Sequence, residues 1–338
     1  MPDLAFGLPD AAWDHDLFEG GGHFMQSGAW MAVQKALGDD VVHRQGQGWR
    51  FAAVAHRGRG LSWLYAPYGP AVDDPAHLPI AVAAMLEAGR ELESDFVRIE
   101  PDLAAATEDT SVLAALADLG ALRVRSVQPR HTLVLDLGRS EDELRADMLS
   151  GRRRSINAAS RKGISVRRTR ESAAVEQFIR LIRKTGERNR FDPHPARYYR
   201  VMCAVLFDRA AASLYLADVD GESVAGVIAF ESATTGYYAH AADDPERSRQ
   251  IVAAAPLAWQ IVQDCRAEGR RTFDFWGVIP DDTNEHPWAG FSRFKKTFGG
   301  TMLTRPGTFD LPLRALRYRV YSAAREARAR RRGGSGVE

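Results

Sequence analysis

The stretch SLYLADVDGESVAGVIAFESATTGYYAHA, residues 213–241, decides the fold class. It contains three apolar runs of strand length, and the turn Asp218-Val219-Asp220-Gly221 separates the first run from the second. Two such runs around a Gly-containing turn are typical of a β-hairpin. The stretch therefore predicts three consecutive strands, Ser213–Ala217, Ser223–Phe230 and Gly236–Ala241.

The segments before and after these strands predict helices and two further strands. The predicted elements are strand Thr132–Leu137, helices Ala173–Arg188, Ala196–Asp208 and Val252–Glu268, and strand Thr272–Trp276. Ser140-Glu141-Asp142-Glu143 has the Ser-x-x-Glu spacing of a capping box, so another helix begins there. Strands and helices thus alternate around a mixed sheet, which is an α/β organisation.

An earlier part of the chain repeats this order of elements without repeating its residues. The runs Arg50–Arg57 and Leu61–Tyr65 predict a hairpin, and a helix over Pro75–Glu93 leads into strand Phe96–Ile99. A helix near residues 111–119 and a strand near 122–127 follow. The length of 338 residues fits two domains of roughly 150 residues each.

The composition excludes several classes of protein. Apolar residues make up 45% and charged residues 26%, as in an ordinary globular protein rather than a disordered or collagen-like chain. No apolar run approaches the ~20 residues of a membrane span, and the N-terminal residues do not resemble a secretory signal. Cys203 and Cys265 stand alone in apolar segments and predict buried thiols rather than a disulfide or a metal site. These features predict a cytosolic protein.

The net charge of +1 conceals two strongly basic segments. Residues 151–170 carry eight Arg or Lys and no acidic residue, and residues 311–332 carry eight Arg and one Glu. The rest of the chain carries a net charge of −14. Such segments favour binding to a polyanion, whether nucleic acid, nucleotide or anionic lipid, although a solvated helix face is the alternative.

Familiar catalytic signatures are absent from the sequence. It contains no Gly-x-x-x-x-Gly-Lys-Ser/Thr loop, no Gly-x-Ser-x-Gly elbow and no His-Glu-x-x-His. The nine histidines are scattered and show no metal-ligand spacing. The sequence therefore argues against a P-loop enzyme, a serine hydrolase and a metalloenzyme.

Polar and aromatic residues do follow several predicted strands. The turn Tyr65-Ala66-Pro67-Tyr68-Gly69-Pro70 presents two rigid aromatic faces, to a ligand or within a structural turn. Arg98 and Glu100, at i and i+2, share one strand face as a structural ion pair or as the polar lining of a cleft. Asp274 ends a buried strand, where both structural carboxylates and site residues are found. The run FSRFKKTFGG, residues 291–300, reads as a helix C-terminus or as a cationic site.

These segments and several others stand in a characteristic order. They are Gln26-Ser27, Trp30, Gln34-Lys35 and Gly38; YAPYGP (65–70); VRIEP (97–101); Gln128-Pro129 with LVLDL (133–137); Arg152, RSIN (154–157), Ala159 and Lys162-Gly163; Thr185 and Arg188; Tyr198-Tyr199; DFWG (274–277); and Phe294-Lys295 with FGG (298–300). In this order they resemble the Fem family of non-ribosomal peptidyltransferases, which build peptidoglycan cross-bridges. The resemblance spans about residues 24–321.

The resemblance implies two GNAT-like domains with mixed sheets flanked by helices. The first would cover residues 1–127 and be completed by a C-terminal helix over 308–332, the second would cover 128–307, and 333–338 would form a flexible tail. Leu313, Leu316, Val320 and Ala324 lie at helical spacing and predict that the C-terminal helix packs back on the body through this apolar side. No coiled-coil arm is predicted, as in the shorter members of the family.

The resemblance also implies a reaction. An aminoacyl-tRNA would donate an amino acid to the side-chain amine of the stem peptide on UDP-MurNAc-pentapeptide or on a lipid-linked precursor. No metal or organic cofactor is implied. Both substrates are polyanions, in agreement with the basic segments. The protein would be cytoplasmic, with peripheral contact between residues 311–332 and the anionic inner face of the plasma membrane.

Carried over position by position, the resemblance implies roles for individual residues. Lys295 would be catalytic near the reacting ester, and Glu100 would orient the acceptor amine or accept its proton. The residues implied to bind substrate are Gln34, Lys35, Tyr65, Tyr68, Arg98, Arg188, His194, Tyr198, His240 and Phe294. The candidates for contact with tRNA or phosphate are Arg152, Arg153, Arg154 and Lys162. Gln34, His194 and His240 stand where the best-known short members carry a lysine, an arginine and an aromatic residue.

Three alternatives remain open at this stage. A GNAT-like N-acyltransferase would use acyl-CoA, but Arg249-Gln250 leads into Ala-rich sequence rather than a pyrophosphate-binding loop. A non-catalytic RNA-binding module would use the arginines alone. An aminoacyltransferase acting on a lipid or a protein N-terminus would share the donor chemistry.

Overall fold

The computed structural model describes residues 2–58, 60–105, 110–189, 191–244, 246–247, 252–281 and 286–331. The predicted tail 333–338 and the residues Arg59, Arg249 and Gln250 lie outside this described part. The chain divides into two compact units, which we call the first unit (Met1–Arg130 and Leu303–Glu338) and the second unit (His131–Met302).

The strands within the described residues are numbered in chain order. They are β1 Ala5–Phe6, β2 Asp40–Gly46, β3 Trp49–Gly58, β4 Leu61–Ala66, β5 Ala71–Val72, β6 Phe96–Ile99, β7 Leu122–Val124, β8 His131–Asp136, β9 Ser165–Thr169, β10 Ala212–Val219, β11 Glu222–Glu231, β12 Thr235–Asp243, β13 Thr272–Gly277, β14 Thr301–Thr304 and β15 Thr308–Pro312. The strands predicted from alternation are all present, including the hairpins β3–β4 and β10–β11.

The α-helices of the described residues are numbered in the same way. They are α1 Ala11–Glu19, α2 Gly28–Leu37, α3 Leu78–Glu91, α4 Thr110–Asp118, α5 Glu141–Asp147, α6 Ser150–Asn157, α7 Ser172–Asn189, α8 Ala196–Asp208, α9 Ala254–Ala267, α10 Ala289–Lys296 and α11 Ala315–Arg331. The predicted capping box forms at α5, where Glu143 N donates to Ser140 Oγ at 3.3 Å and Ser140 N to Glu143 Oε2 at 2.8 Å.

The first unit is built on one mixed sheet with the strand order β1-β2-β3-β4-β6-β15-β7, and β5 pairs with β3. β4 and β6 run parallel, and every residue of β6 is paired, from Trp63 opposite Phe96 to Ala66 opposite Ile99. β15 pairs with the other edge of β6, so a strand from the far end of the chain completes this sheet. The apolar side of α3 covers the sheet through Ala81, Met85 and Ala88, which are fully buried.

The second unit is built on the strand order β14-β8-β13-β12-β11-β10-β9. β12 and β13 run parallel but pair only from Thr235 opposite Thr272 to Tyr237 opposite Asp274. β12 continues to Asp243 and β13 to Gly277, so the two strands separate beyond this point. Register shifts on both outer sides accompany the separation, between β11 and β12 and between β13 and β8.

Helix α9 forms much of the second core. Leu257, Ala258, Ile261 and Val262 pack as buried residues with those of the central strands. Cys265 also belongs to this core, and both Cys203 and Cys265 are buried free thiols, as their apolar surroundings predicted. The α/β class with two mixed sheets is therefore confirmed.

The C-terminal helix differs from the sequence prediction in its start and in its packed face. Residues 308–312 form β15, and the helix begins at Ala315. Leu316 and Val320, predicted to pack on the body, are instead 77% and 66% exposed. This prediction was wrong because it counted aliphatic residues only.

Tyrosines occupy the packed face of α11. The Tyr318 ring meets Phe96 edge-on at 5.3 Å, and its hydroxyl donates to Asp310 Oδ2 at 3.0 Å. The Tyr321 ring stacks on Phe96 at 5.2 Å, and its hydroxyl accepts from Arg98 Nη2 at 3.4 Å. A tyrosine ring buries more apolar surface than leucine or valine, and both hydroxyls find a partner, so this face is favoured over the aliphatic one.

Candidate functional site

Lys295 is a buried lysine on α10 in the second unit. Only 6% of the residue is exposed, and its Nζ donates to the carbonyl oxygen of Gly277 at 2.7 Å. The ammonium group also lies 5.1 Å from the centre of the Phe291 ring. Burial lowers the pKa of Lys295 to about 7, although the nearby Asp274 carboxylate opposes this shift. Lys295 can therefore exist in both protonation states near neutral pH.

The segment that follows β13 fixes the position of α10. Lys296 Nζ donates to the carbonyl of Pro280 at 3.1 Å, and Ile279 N donates to the hydroxyl of the buried Ser292 at 3.1 Å. Together with the bond from Lys295 to Gly277, three hydrogen bonds join residues 277–280 to the helix. The lysine is thus held on a supported backbone at the end of the separated strand β13.

Asp274 organises the end of β13. Its Oδ1 accepts from the hydroxyl of Thr132 and from the backbone N–H of Trp276, the latter at 2.6 Å. Trp276 has φ of +62°, which is strained for a bulky residue and needs support from its surroundings. The bond to Asp274 supplies that support next to the Gly277 carbonyl that binds Lys295. Asp274 is therefore a structural carboxylate at this strand end, and its charge also acts on Lys295.

Two glycines end α10, as the sequence suggested. Gly299 and Gly300 have φ of +79° and +90°. A Cβ at Gly300 would lie 2.4 Å from the carbonyl oxygen of Val134, and one at Gly299 would lie 2.7 Å from Asp147 Cβ. Both positions require glycine for conformation and for space.

A cavity of about 670 Å³ lies beside α6 in the second unit. It is lined by Leu149, Ser150, Gly151, Arg152, Arg154, Ser155, Ala158, Lys162, Val252 and Thr297. Thr297 follows Lys295 by two residues, so the cavity borders the segment that carries the buried lysine. Three of its side chains are cationic, and a cation-lined cavity favours an anionic ligand.

The four candidates for phosphate contact have different surroundings. Arg152 stacks against Phe294 at 4.5 Å and Phe298 at 5.0 Å, and its Nε donates to Thr297 Oγ1 at 2.7 Å. Arg153 donates to the carbonyl of Met148 and, at 3.0 Å and 3.1 Å, to those of Arg145 and Ala146, which are the last carbonyls of α5.

Arg154 and Lys162 are exposed at the cavity and have no partner among the described residues. Arg152 therefore forms part of the cavity wall, and Arg153 binds carbonyls at the end of α5. Arg154 and Lys162 are accessible to a ligand. The prediction for Arg153 is not supported by its position, because its guanidinium is committed to backbone carbonyls.

An aromatic cluster surrounds His240 at the bulge of β12. The His194 and Tyr198 rings stack at 4.1 Å, and both lie edge-on to His240 at 6.2 Å and 6.1 Å. Tyr199 and Phe230 complete the cluster at 5.5 Å and 5.8 Å from His240. Burial among these rings, together with His194, lowers the pKa of His240 to about 3, so this imidazole is neutral. Three predicted substrate contacts, His194, Tyr198 and His240, are thus brought together.

Arg188 already has a partner. Its guanidinium forms a two-pronged ion pair with Asp243, with N–O distances of 2.6 Å and 2.9 Å. Thr185 holds the same aspartate, since its hydroxyl donates to the Asp243 carbonyl at 2.9 Å. This arrangement ties the end of α7 to the end of β12.

Glu100 lies in the first unit and is only 4% exposed. Its Oε2 accepts from the Tyr65 hydroxyl at 2.6 Å, and its Oε1 accepts from Gln128 N at 2.9 Å and from Thr308 Oγ1 at 2.5 Å. Burial and the charge of Glu100 raise the pKa of Tyr65 well above its usual value. The carboxylate therefore joins β4, the chain after β7 and β15 through three donors.

Arg98 does not form the ion pair with Glu100 that the sequence suggested. Its guanidinium binds Asp310 of β15 with two hydrogen bonds of 2.7 Å and 2.8 Å, and Asp310 is fully buried. The strand register explains this, because β15 pairs with β6 and places Asp310 directly opposite Arg98. Three uncharged donors, rather than Arg98, hold the Glu100 carboxylate.

The remaining predicted contacts of the first unit lie in different surroundings. Tyr68 is buried with φ of +48°, stacks under the Arg305 guanidinium at 4.5 Å and donates to the Pro129 carbonyl at 3.0 Å. Gln34 is partly buried and Lys35 is exposed, both in the last turns of α2. Sequence reasoning missed Asp310, Thr308 and Thr132. Only the strand register, which long-range pairing determines, could have identified them.

Among the described residues, no helix is both long and apolar enough to cross a membrane. Within the same residues, no group of three His, Cys, Asp or Glu side chains is placed to hold a metal ion.

Comparison with known proteins supports this organisation. The acetyltransferase (GNAT) domain family matches residues 148–296, inside the second unit. Lipid II:glycine glycyltransferase of Staphylococcus aureus (strain USA300) is 20% identical over an alignment that covers 71% of this chain and 75% of the relative. The crystal structure of FemX superposes with a TM-score of 0.80 at 18% identity, over 94% of this chain and 99% of FemX. The chain is therefore similar to lipid II:glycine glycyltransferase in sequence and to FemX in fold.

A second structure shares the fold of this chain. L-PGS from Bacillus licheniformis matches with a TM-score of 0.57 at 10% identity, over 91% of this chain and 93% of that protein. This likeness concerns the fold alone. The resemblance and the GNAT-like fold predicted from the sequence are both confirmed.

Proposed function

We propose that this protein is a transferase that moves an amino acid from an aminoacyl-tRNA to the stem-peptide amine of a peptidoglycan precursor. The homologous relatives are named lipid II:glycine glycyltransferases, which supports a lipid-linked acceptor and non-ribosomal peptide bond formation. UDP-MurNAc-pentapeptide is the alternative acceptor with the same amine. Because charged tRNA is a cytosolic molecule, the proposed reaction takes place on the cytosolic side of the membrane.

The observation that carries the proposal is the cation-lined cavity beside α6, which Thr297 at the end of α10 also lines. Its volume of about 670 Å³ and its open cations Arg154 and Lys162 suit a sugar-phosphate chain. Phe294 takes part indirectly, because it holds Arg152 against the cavity wall. An anionic donor seated here would bring its acyl end toward the segment that contains Lys295.

The proposed reaction is an aminolysis. The neutral acceptor amine attacks the ester carbonyl, a tetrahedral oxyanion forms, and the C–O bond to the terminal ribose breaks. The amine loses a proton and the departing ribose oxygen gains one, so the step is balanced without an added reagent. Since the ester is already activated, most of the barrier is lowered by orienting the two reactants.

Lys295 is proposed to stabilise the negative charge that develops in this step. One of its protons is committed to the Gly277 carbonyl, which leaves the others free to reach an oxyanion or the leaving oxygen. In a buried site such a donor is worth far more than in water. Its pKa of about 7 also lets it give up a proton to the leaving group at neutral pH.

Glu100 is proposed to act by position rather than as a base. All three of its neighbours donate hydrogen bonds to it, so its oxygens are occupied. The carboxylate fixes Tyr65, which is proposed to face the acceptor together with Tyr68. Within the second unit, His194, Tyr198 and His240 are proposed to stack on substrate. Within the first unit, Gln34 and Lys35 are proposed substrate contacts on α2.

The direct test is a transfer assay. The purified protein is incubated with a mixture of charged tRNAs and either lipid-linked precursor or UDP-MurNAc-pentapeptide, and the mass of the acceptor is measured. The expected result is an RNase-sensitive gain of one amino-acid residue. Transfer from acyl-CoA alone would overturn the proposal, and salt-dependent tRNA binding without transfer would favour an RNA-binding module.

The cavity is tested by charge removal. Arg154→Ala/Lys162→Ala is expected to raise the KM for charged tRNA by about tenfold while leaving kcat similar, because phosphate contacts mainly contribute binding. Arg161→Ala/Arg180→Ala removes the same charge from exposed positions outside the cavity and serves as the control. Equal effects of the two variants would show that only the overall charge matters.

N-acylation from acyl-CoA is the second candidate, since the GNAT family match covers residues 148–296. The segment that would hold the pyrophosphate, around Arg249-Gln250, lies outside the described residues. The same transfer assay, run with acyl-CoA in place of charged tRNA, separates the two candidates.

A further inference from the structure

Helix α11 presents an exposed apolar stripe. Leu316 is 77% exposed and Val320 is 66% exposed, and they lie one helical turn apart. Ala323, Ala324 and Ala327 are also exposed. With 3.6 residues per turn, Leu316, Val320, Ala323 and Ala327 fall on the side of the helix opposite Tyr318 and Tyr321, and Ala324 lies at the edge of that side. The helix is thus apolar on its packed side and again on its outer side.

The packed side is firmly attached to the first unit. Arg314 and Arg317 lie 3.7 Å and 3.2 Å from the fully buried Asp95 carboxylate. Arg325 donates to the Arg125 carbonyl at 3.2 Å. With the tyrosine contacts to Phe96 and Asp310, these bonds fix which side of α11 faces outward. The outer stripe is therefore a defined surface of the folded protein.

Positive charge accompanies the outer stripe. Arg319 is exposed and has no partner among the described residues. The helix ends in the sequence Arg328-Ala329-Arg330-Arg331, and Arg332 follows. Glu326 is the one acidic residue of the segment 311–332. Exposed aliphatic residues beside arginines are one feature of helices that lie in a membrane interface.

We propose that the outer side of α11 docks on an anionic lipid surface, with Leu316 and Val320 entering the headgroup region and the arginines near lipid phosphates. The apolar stripe favours a membrane over RNA, because phosphate contacts gain nothing from exposed leucine and valine. The docking does not depend on the proposed function, since it involves neither Lys295 nor the cavity beside α6. A lipid-linked acceptor would be encountered at such a surface.

The test is flotation of the full chain with vesicles of phosphatidylcholine, with and without about one-third phosphatidylglycerol. Binding is expected only to the anionic vesicles and is expected to weaken at high salt. Leu316→Glu/Val320→Glu is expected to lower the partition coefficient by about tenfold or more, because two inserted aliphatic side chains are replaced by charges. Leu316→Ser/Val320→Ser should lower it less, in the same direction.

The matched control is Phe6→Glu/Ile80→Glu, which changes two other exposed apolar residues, 74% and 55% exposed, by the same charge. It is expected to bind vesicles like the wild type, and circular dichroism confirms folding of each variant. Failure of the wild type to bind anionic vesicles would overturn the proposal, as would equal losses in both double glutamate variants. Weaker tRNA binding with unchanged vesicle binding in L316E/V320E would assign the helix to RNA instead. Aminoacyl transfer to UDP-MurNAc-pentapeptide, measured in parallel, reports on the proposed function separately.

Discussion

The parallel strand pairs of the two units, β4–β6 and β12–β13, differ in how far their strands stay together. β6 is paired with β4 along its whole length, whereas β12 and β13 pair over three residues and then separate. At β4–β6, the closed pair, Arg98 and Glu100 bind partners within the first unit. At β12–β13, the open pair, Lys295 lies by the end of β13 that has separated from β12, and its ammonium group donates to a backbone carbonyl. Similar strand arrangements thus hold charged groups that support the fold in the first unit and, in our proposal, a lysine that acts in the reaction in the second.

The closed pair is tested most directly by removing the ion pair between Arg98 and Asp310. Arg98→Met would leave the fully buried Asp310 without its cation, and the expected loss in free energy of unfolding is about 3–5 kcal/mol. Denaturant unfolding of the wild type and the variant measures it. Arg98→Met/Asp310→Leu should recover most of the loss, since no buried charge remains. If the Arg98→Met protein is stable but binds the acceptor less well, Arg98 is a substrate-binding residue instead.

The open pair is tested at Lys295. Lys295→Met is expected to lower kcat by about 10²–10³-fold, as the removal of a single buried oxyanion donor does, with little change in acceptor binding. Single-turnover transfer and acceptor titration give the two quantities. Lys296→Met, the neighbouring lysine bonded to the Pro280 carbonyl, is the control. Unchanged turnover in Lys295→Met would remove this lysine from the mechanism.

The same lysine makes stability depend on pH. Its folded pKa of about 7 lies below the ~10.4 of an exposed lysine, so between these values the unfolded chain binds the additional proton. Wild-type stability, relative to Lys295→Met, should therefore rise with pH by up to ~1.4 kcal/mol per unit from about pH 7 to 10. Thermal or denaturant unfolding across this range checks it. A difference that stays flat would show that Lys295 is fully charged in the folded protein.

Glu100 provides the smallest expected effect. Glu100→Gln keeps an acceptor for some of its three donors, so the expected loss in free energy of unfolding is about 1 kcal/mol, with kcat nearly unchanged. Tyr65→Phe, which removes one donor, is the companion variant. If Glu100→Gln abolished transfer without changing stability, Glu100 would be a base and the closed pair would be catalytic as well.

Local patterns were sufficient to predict most of the secondary structure. The hairpin β10–β11 and the capping box at α5 depend on neighbouring residues, and both form as expected. The partner of Arg98 could not be predicted in this way, because Asp310 lies 212 residues away and meets it only through the pairing of β6 with β15. Nearest-neighbour spacing instead suggested Glu100.

The candidate site was only partly accessible from the sequence. The resemblance to the Fem family pointed to Lys295, but its burial and lowered pKa depend on how α10 docks on the segment after β13. The packed face of α11 was missed for a similar reason. Tyr318 is a core residue because Asp310 accepts a hydrogen bond from its hydroxyl. The helical periodicity of α11 does not reveal this partner.

The completion of the first sheet by β15 has a consequence for synthesis on the ribosome. Chains generally fold from the N-terminus as they emerge, but β6 stays without one neighbour, and Arg98 without its aspartate, until residue 310 has been translated. The second unit, His131–Met302, is continuous and has all its strands by then. The first unit, although its synthesis starts first, therefore completes its sheet last. Until then β6 lacks one of its two neighbouring strands, while the second unit already has all of its strands.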